Sequence, residues 1–381
     1  MGVKIYWIIA ALVIVFGMIL PQEGPRKRYY IILMAAIHTF FCGFRYMYIF
    51  GDLIKYATSY YAFADGNYSL FSDVVFDEGR NAGFRWISLL FAKLTNGDYQ
   101  IFLFALALFC QIAVAVLIYR HSPKPWLSFL VWNCMSFYVT YDYCAIKQGL
   151  AMAVLMFAFS CALEKKPIGF YMLALLAGFI HTPALIALPA YWLMNRRVDR
   201  TLIVAYLIFA ALVYIFRSQI VLTLSDLYYE GNDEMDFSFY ASRIGGRTVL
   251  IVLIAVTGML LKGFREIRFQ GLFNIMVMAA IIQMFSMYDN VFTRLADYYF
   301  QFSVLYIPMI FFEQDYPVPV NHYAAHPLLP FNRRSTALIV FFLVIALLWW
   351  YHYSNLGQTI TYEVDNYLNF RFMWDVASDV V

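Results

Sequence analysis

The sequence predicts an all-α protein, a polytopic transmembrane helical bundle forming a single integral membrane domain over residues 1–381. Three observations predict it. Apolar residues make up 63% and charged residues 13% of the 381 positions, against about 45–50% and about 25% in soluble domains. Apolar runs of bilayer-crossing length recur along the whole chain. Basic residues cluster in the short connections between runs that would share one side of a membrane.

Taken in order, the runs lie at about 4–20, 29–44, 100–119, 126–141, 146–163, 201–216, 246–261, 271–287, 295–312 and 337–353. The first has a weak basic flank and no small-residue cleavage site, so it reads as a retained span, not a removed signal. The run 168–194 is too long for one upright helix and is interrupted by His181-Thr182-Pro183. Proline breaks the helical hydrogen-bond ladder, so two short tilted helices are expected, 168–180 and 183–194. Each would span only about 20 Å. The total is about twelve membrane segments.

The basic connections set the orientation: Arg26-Lys27-Arg28, Arg120 with Lys124, Lys165-Lys166, Arg196-Arg197 with Arg200, Lys262 with Arg265 and Arg268, and Arg333-Arg334. They fall on one side, read as cytoplasmic, if 168–194 crosses twice; both termini then face outward. Two large outer loops follow, at about 45–99 and 217–245, and a proline-rich cytoplasmic loop at about 313–336. The segment 84–94 is amphipathic and too short to span, so it is expected in the outer interface. No internal repeat, low-complexity tract or soluble domain is present.

The net charge of +3 is small, and the basic residues form no nucleic-acid patch. The five cysteines sit in or beside apolar runs without metal or CxxC spacing and read as small core residues. No Walker loop and no dinucleotide fingerprint occurs, which argues against a nucleotide-driven pump.

The chemistry-bearing stretch runs from 141 to 183. Its central turn, Glu164-Lys165-Lys166-Pro167, belongs to one side; Asp142, Lys147, Gln148 and His181 gather at the other. Ionisable groups at the mouth of a membrane bundle are expensive and point to function. Arg45, Lys147 and Arg294 stand at outer ends of spans, where the positive-inside trend disfavours them. Snorkelling to headgroups is the structural alternative for each. Together they suit a phosphate-bearing substrate delivered in the membrane. His181, at a broken helix end, is the candidate general base, the alternative being a structural bond to a carbonyl freed by Pro183. His38 reads as structural. Asp52, Glu78, Asp142 and Asp297 are carboxylates suited to orienting a cation or taking a proton, with simple solvation as the alternative.

These residues carry a resemblance to the EpsG family, part of the broader Wzy-like polysaccharide polymerases. The matching pieces are Phe44-Arg45-Tyr46 with Asp52 and Tyr56; Gly83-Phe84; Lys147-Gln148-Gly149-Leu150-Ala151; Ala177-Gly178-Phe179-Ile180-His181-Thr182-Pro183-Ala184; and Arg294 with Tyr298-Tyr299-Phe300. The family usually has Arg-Gln where this chain has Lys147-Gln148. The charge survives and the bidentate fork does not.

The resemblance implies a membrane glycosyltransferase of the bacterial plasma (inner) membrane, active at its outer face. Such an enzyme polymerises oligosaccharide repeat units carried on undecaprenyl pyrophosphate. His181 would then be catalytic. Arg45, Lys147 and Arg294 would bind pyrophosphate. Asp52, Arg85, Asp142, Gln148, Asp297 and Tyr298 would support the site or the acceptor. No cofactor, metal or nucleic acid is implied; membrane lipid, a chain-length regulator and a flippase are the further partners. A ligase handing the glycan to another acceptor would share the donor half of such a site. A flippase would favour pseudo-repeats and charges through the midplane, and a membrane acyltransferase would need its His on the cytoplasmic side.

Overall fold

The computed structural model describes residues 4–46, 51–76, 81–221, 245–264, 266–288, 290–312, 341–351 and 353. Among them every regular element is helical, with no strand. The loops expected at 217–245 and 313–336, and the tail beyond 353, lie almost wholly outside the described residues. The chain divides into two compact units, Met1–Leu185 with Arg334–Val381, and Ile186–Arg333.

Three helices are long and apolar enough to cross a membrane: Tyr99–His121, Ile146–Leu163 and Ile267–Met287. The pair Val291–Phe300 and Ser303–Phe312, bent by 44°, makes up to a fourth. The expected dozen is therefore not reached by length and composition. Ile5–Ile19, Pro167–Ile180, Arg200–Ile215, Gly246–Leu261 and Phe341–Tyr351 are apolar but shorter. A helix of 16 residues rises about 24 Å, less than the roughly 30 Å hydrocarbon layer.

The first unit contains α1 (Lys4–Ile19), α2 (Lys27–Gly43), α3 (Gly51–Asp65), α4 (Asp73–Phe76), α5 (Ala82–Leu94), α6 (Tyr99–His121), α7 (Pro125–Cys134), α8 (Ile146–Leu163) and α9 (Pro167–Ile180). Asp98 starts α6 by accepting from the amides of Gln100 (2.9 Å) and Ile101 (3.1 Å), satisfying donors that a helix start leaves open. Pro125 and Pro167 each open a helix, where a missing N–H costs nothing. The turn between α8 and α9 places Lys165 in the left-handed region at φ 58°, and α8 and α9 form an extensively packed hairpin.

The polar connections of this unit meet at one end. Lys124 pairs with Glu23 at 2.5 Å, Arg120 with Glu164 at 3.3 Å, and Lys27 donates to the Ser122 carbonyl at 3.4 Å. Three of the basic connections thus share a side, as the charge pattern expects. At the other end Gln100 Nε2 donates to the Gly43 carbonyl (2.6 Å), joining the end of α2 to the start of α6.

Two expectations change in this unit. The stretch 45–99 holds, besides the expected amphipathic segment 84–94 seen as α5, a second full helix, α3, where loop was expected. The helix expected over 183–194 is replaced by a 3₁₀ turn, Thr182–Ala187, and a six-residue helix α10, Ala190–Asn195. Pro183 and Pro189 each remove an amide donor, so no continuous α-helical ladder can form between them. The break itself falls at His181, as expected.

The second unit contains α10, α11 (Arg200–Ile215), α12 (Gly246–Leu261), α13 (Ile267–Gln283), α14 (Asn290–Phe300) and α15 (Ser303–Phe312). Its centre is α13, which packs against α10, α12, α14 and α15. Gly271 permits a close backbone approach: a Cβ there would collide with the Met194 carbonyl oxygen. Asn274 Nδ2 then donates to the Leu193 and Arg196 carbonyls, each at 2.9 Å, closing the open end of α10. Tyr306 stacks on Phe269 (4.8 Å between centroids, 12° between planes) and donates to the Ala255 carbonyl at 2.9 Å.

Candidate functional site

Arg45 is wholly buried just beyond the end of α2. Its Nη1 donates to the Cys42 carbonyl and, at 3.1 Å, to the Cys42 sulfur. Its guanidinium carbon lies 5.1 Å from the Tyr143 ring centroid, a distance at which the ring face stabilises the cation. Its Nε and Nη2 are buried and have no hydrogen-bond partner among the described residues. The guanidinium stays charged at any accessible pH. A buried unsatisfied donor costs about 1–3 kcal/mol, and no carboxylate among the described residues forms an ion pair with Arg45. That arrangement is poor as scaffolding and well suited to receiving an anion.

The wall behind Arg45 is a five-residue π-helical turn, Tyr138–Asp142. Such turns are rare and concentrate at functional sites. It ends against the start of α8, where Gly149 allows the contact: a Cβ there would lie 2.6 Å from the Tyr141 carbonyl oxygen. Asp142 is buried, accepts from Gln111 Nε2 at 2.6 Å, and faces Cys110 and Trp132 as well. Its backbone carbonyl accepts from the Cys42 thiol at 3.0 Å. Cys42 therefore touches both sides of the site, holding Arg45 through its carbonyl and Asp142 through its sulfur.

Two sets of contacts involve the other candidate residues, one at Tyr143 and one linking Lys147 to the end of α9. Tyr143 lies under Arg45, and Lys147 follows in the first turn of α8, half-buried, with Nζ 5.7 Å from the Tyr56 ring of α3. Tyr56 meets Phe84 of α5 at 5.4 Å. At the start of α5, Gly83 lies against the end of α9: a Cβ would be 2.6 Å from Phe179 Cδ1 and 2.9 Å from its backbone. His181 caps α9 in extended conformation, half-buried, its amide on the Ala177 carbonyl and its carbonyl accepting from the Ala184 amide, each at 2.8 Å. Arg45, Lys147 and His181 all belong to the first unit, Arg45 buried and the other two half-buried.

The remaining expected residues divide. Gln148 is buried with its amide 3.9 Å from the Met152 sulfur. Arg85 Nε donates to the Val75 carbonyl at 3.0 Å, tying α5 to α4. Asp52 is half-buried in the first turn of α3. Glu78 lies outside the described residues. His38 is a structural histidine, with Nδ1 on the Met34 carbonyl (2.7 Å) and Nε2 accepting from Asn133 Nδ2 (2.9 Å). All five cysteines are free, three of them buried.

Arg294, Asp297 and Tyr298 belong to the second unit, on α14. Arg294 is exposed and Tyr298 is buried. Asp297, with a side chain 1% exposed, is ion-paired with Arg247, which opens α12 and is 18% exposed. Arg247 also lies over the Phe300 ring at 5.6 Å. The cation that Asp297 orients is therefore Arg247.

Sequence reasoning passed over Arg247, Gln111 and Tyr143. The first two carried a signal: an arginine at the head of an apolar helix, and an amide in the middle of an apolar one of 23 residues. Tyr143 carried none in a chain with 31 tyrosines. Among the described residues no three His, Cys, Asp or Glu side chains converge as metal ligands would.

The model of the EpsG family matches residues 28–369. Among curated proteins and among solved structures nothing matches the chain.

Proposed function

The chain belongs to the EpsG family, a family of Wzy-like polysaccharide polymerases, and on that premise we propose that it joins lipid-linked oligosaccharide repeat units at the outer face of a bacterial plasma membrane. The donor is a glycan on undecaprenyl pyrophosphate, and the acceptor is a hydroxyl of an incoming unit. The observation that carries the reading is Arg45: among the described residues, a buried guanidinium with two donors open and no ion pair to a carboxylate.

The reaction needs charge stabilisation on the leaving group and a base for the acceptor. As the anomeric carbon–oxygen bond breaks, negative charge grows on the departing pyrophosphate. Arg45 and the Lys147 ammonium are placed to stabilise it, and groups aimed at developing charge in a dry site contribute most to such rates. His181 takes the acceptor hydroxyl proton as the new glycosidic bond forms, then releases it to water. A single displacement inverts the anomeric centre. Tyr56 and Phe84 offer ring faces between the two halves of the chemistry. Arg294 has a separate role in this proposal: its exposed guanidinium attracts the anionic carrier during encounter. The shorter apolar helices are proposed to cross as well, seated in protein and completing about twelve segments.

The test is reconstitution. Purified protein with a defined lipid-linked repeat unit, and no added nucleotide or metal, is expected to give a ladder of longer glycans. His181→Ala should leave single units accumulating, and long polymer from that variant would remove His181 from the mechanism. Transfer to another acceptor without self-elongation would make the protein a ligase.

A further inference from the structure

The elongation reading leaves unexplained what holds His181 in place. Its helix has ended, and the residues after it form a 3₁₀ turn. A base carried on loose backbone samples many positions, and an error of about 1 Å in placement costs on the order of 100-fold in rate. Contacts from another element add to the bonds the segment makes within itself.

The contact that does so is Asn81. Its side-chain oxygen accepts from the Thr182 amide at 3.1 Å, and its own amide donates to Thr182 Oγ1 at 3.3 Å. The two residues are 101 positions apart and exchange a reciprocal pair of bonds. Thr182 directly follows His181. Asn81 adopts φ 57°, the left-handed region that glycine, asparagine and aspartate tolerate and other residues resist. Immediately after it, Gly83 lets the start of α5 close on Phe179, two residues before His181. The break in α9 is therefore gripped on both sides by the start of α5.

We infer that Asn81 is a positioning residue for His181, clamping the Thr182 backbone so that the imidazole is held toward the acceptor. This rests on His181 being the base. The backbone conformation and the side-chain contact can be separated, because Asn81→Gly retains the first and deletes the second, whereas Asn81→Asp retains both.

The experiment combines hydrogen exchange at residues 180–184 with steady-state elongation, using purified full-length protein. In Asn81→Gly the Thr182 amide should exchange at least 10-fold faster. The kcat should fall at least 10-fold with KM within 2-fold of wild type. Asn81→Asp should restore exchange protection and most of kcat. Unchanged exchange in Asn81→Gly overturns the clamp. Faster exchange with undiminished kcat, while His181→Ala is inactive, overturns its role in the reaction and leaves the reading of His181 standing. Elongation by His181→Ala overturns both.

Discussion

Two arginines of this protein, one in each unit, differ in how their charge is met: Arg45 is wholly buried without an ion pair among the described residues, and Arg247, 18% exposed, has one. Arg247 is matched by Asp297, a nearly inaccessible carboxylate, and lies against Phe300. Among the described residues Arg45 meets a carbonyl, a sulfur and a ring, and its Nε and Nη2 have no hydrogen-bond partner. A buried cation that already has its anion is part of the scaffold. A buried cation that lacks one is a place for an anion to arrive. The comparison also shows why a carboxylate nearby does not decide the matter. Asp142 is close enough to Arg45 to feel its charge, yet its side chain is engaged by Gln111.

The largest expected effect breaks the comparison directly. Arg45→Ala should reduce elongation at least 100-fold, consistent with loss of a principal charge-stabilising group, while thermal unfolding in detergent shifts little. Arg247→Ala should do the reverse. Removing one partner of a buried ion pair costs about 3–5 kcal/mol, so its melting temperature should fall well below that of wild type. An Arg247→Met, Asp297→Leu double variant should recover much of the loss. If Arg45→Ala unfolds and Arg247→Ala merely loses activity, the two roles have been assigned the wrong way round.

Next in size is Gly149→Ala. The added methyl meets the Tyr141 carbonyl oxygen, and overpacking costs about 1–3 kcal/mol. Because the displaced backbone carries Asp142 and Tyr143, activity should fall more than stability, and the measurement is kcat set against unfolding midpoint. Arg294→Ala should be milder. As an exposed charge acting on encounter, its loss should raise KM a few-fold with kcat unchanged, and the effect should shrink as salt is added.

The smallest effect lies at the opposite end of the first unit. The bond from Lys166, with Arg120 beside it, holds the Glu164 carboxyl below the ordinary carboxylate range. A depressed carboxylate stabilises the fold above its unfolded-state pKa and loses that contribution as pH falls through the lower, folded value. Unfolding midpoints of wild type and Glu164→Gln should therefore differ at neutral pH and converge in acid.

The helix pattern was readable where apolar runs are clean. The bounds 146–163 and 246–261 return unchanged in the structure. It was not readable in α3, whose apolar residues alternate with Asp52, Lys55, Thr58 and Ser59, so that neither a span nor a loop describes it. The charged members of the proposed site were conspicuous in the sequence, because Arg45, Lys147 and His181 stand at run ends. Its supporting members were not. A π-turn has no local signature that separates it from ordinary helix. The Asn81–Thr182 and Arg247–Asp297 pairings span 101 and 50 positions, a separation that only folding closes. Arg294 and Asp297 looked like one motif in sequence, yet one is exposed and the other is the anion of a different arginine.

The central claim is that Arg45 receives the substrate's diphosphate. The most direct measurement is equilibrium binding of a polyprenyl diphosphate to the purified protein in nanodiscs, comparing wild type, Arg45→Ala and Arg45→Lys. Affinity should fall at least 10-fold in the alanine variant and recover only in part with lysine, which keeps the charge and loses the fork. Wild-type affinity in Arg45→Ala would contradict the account.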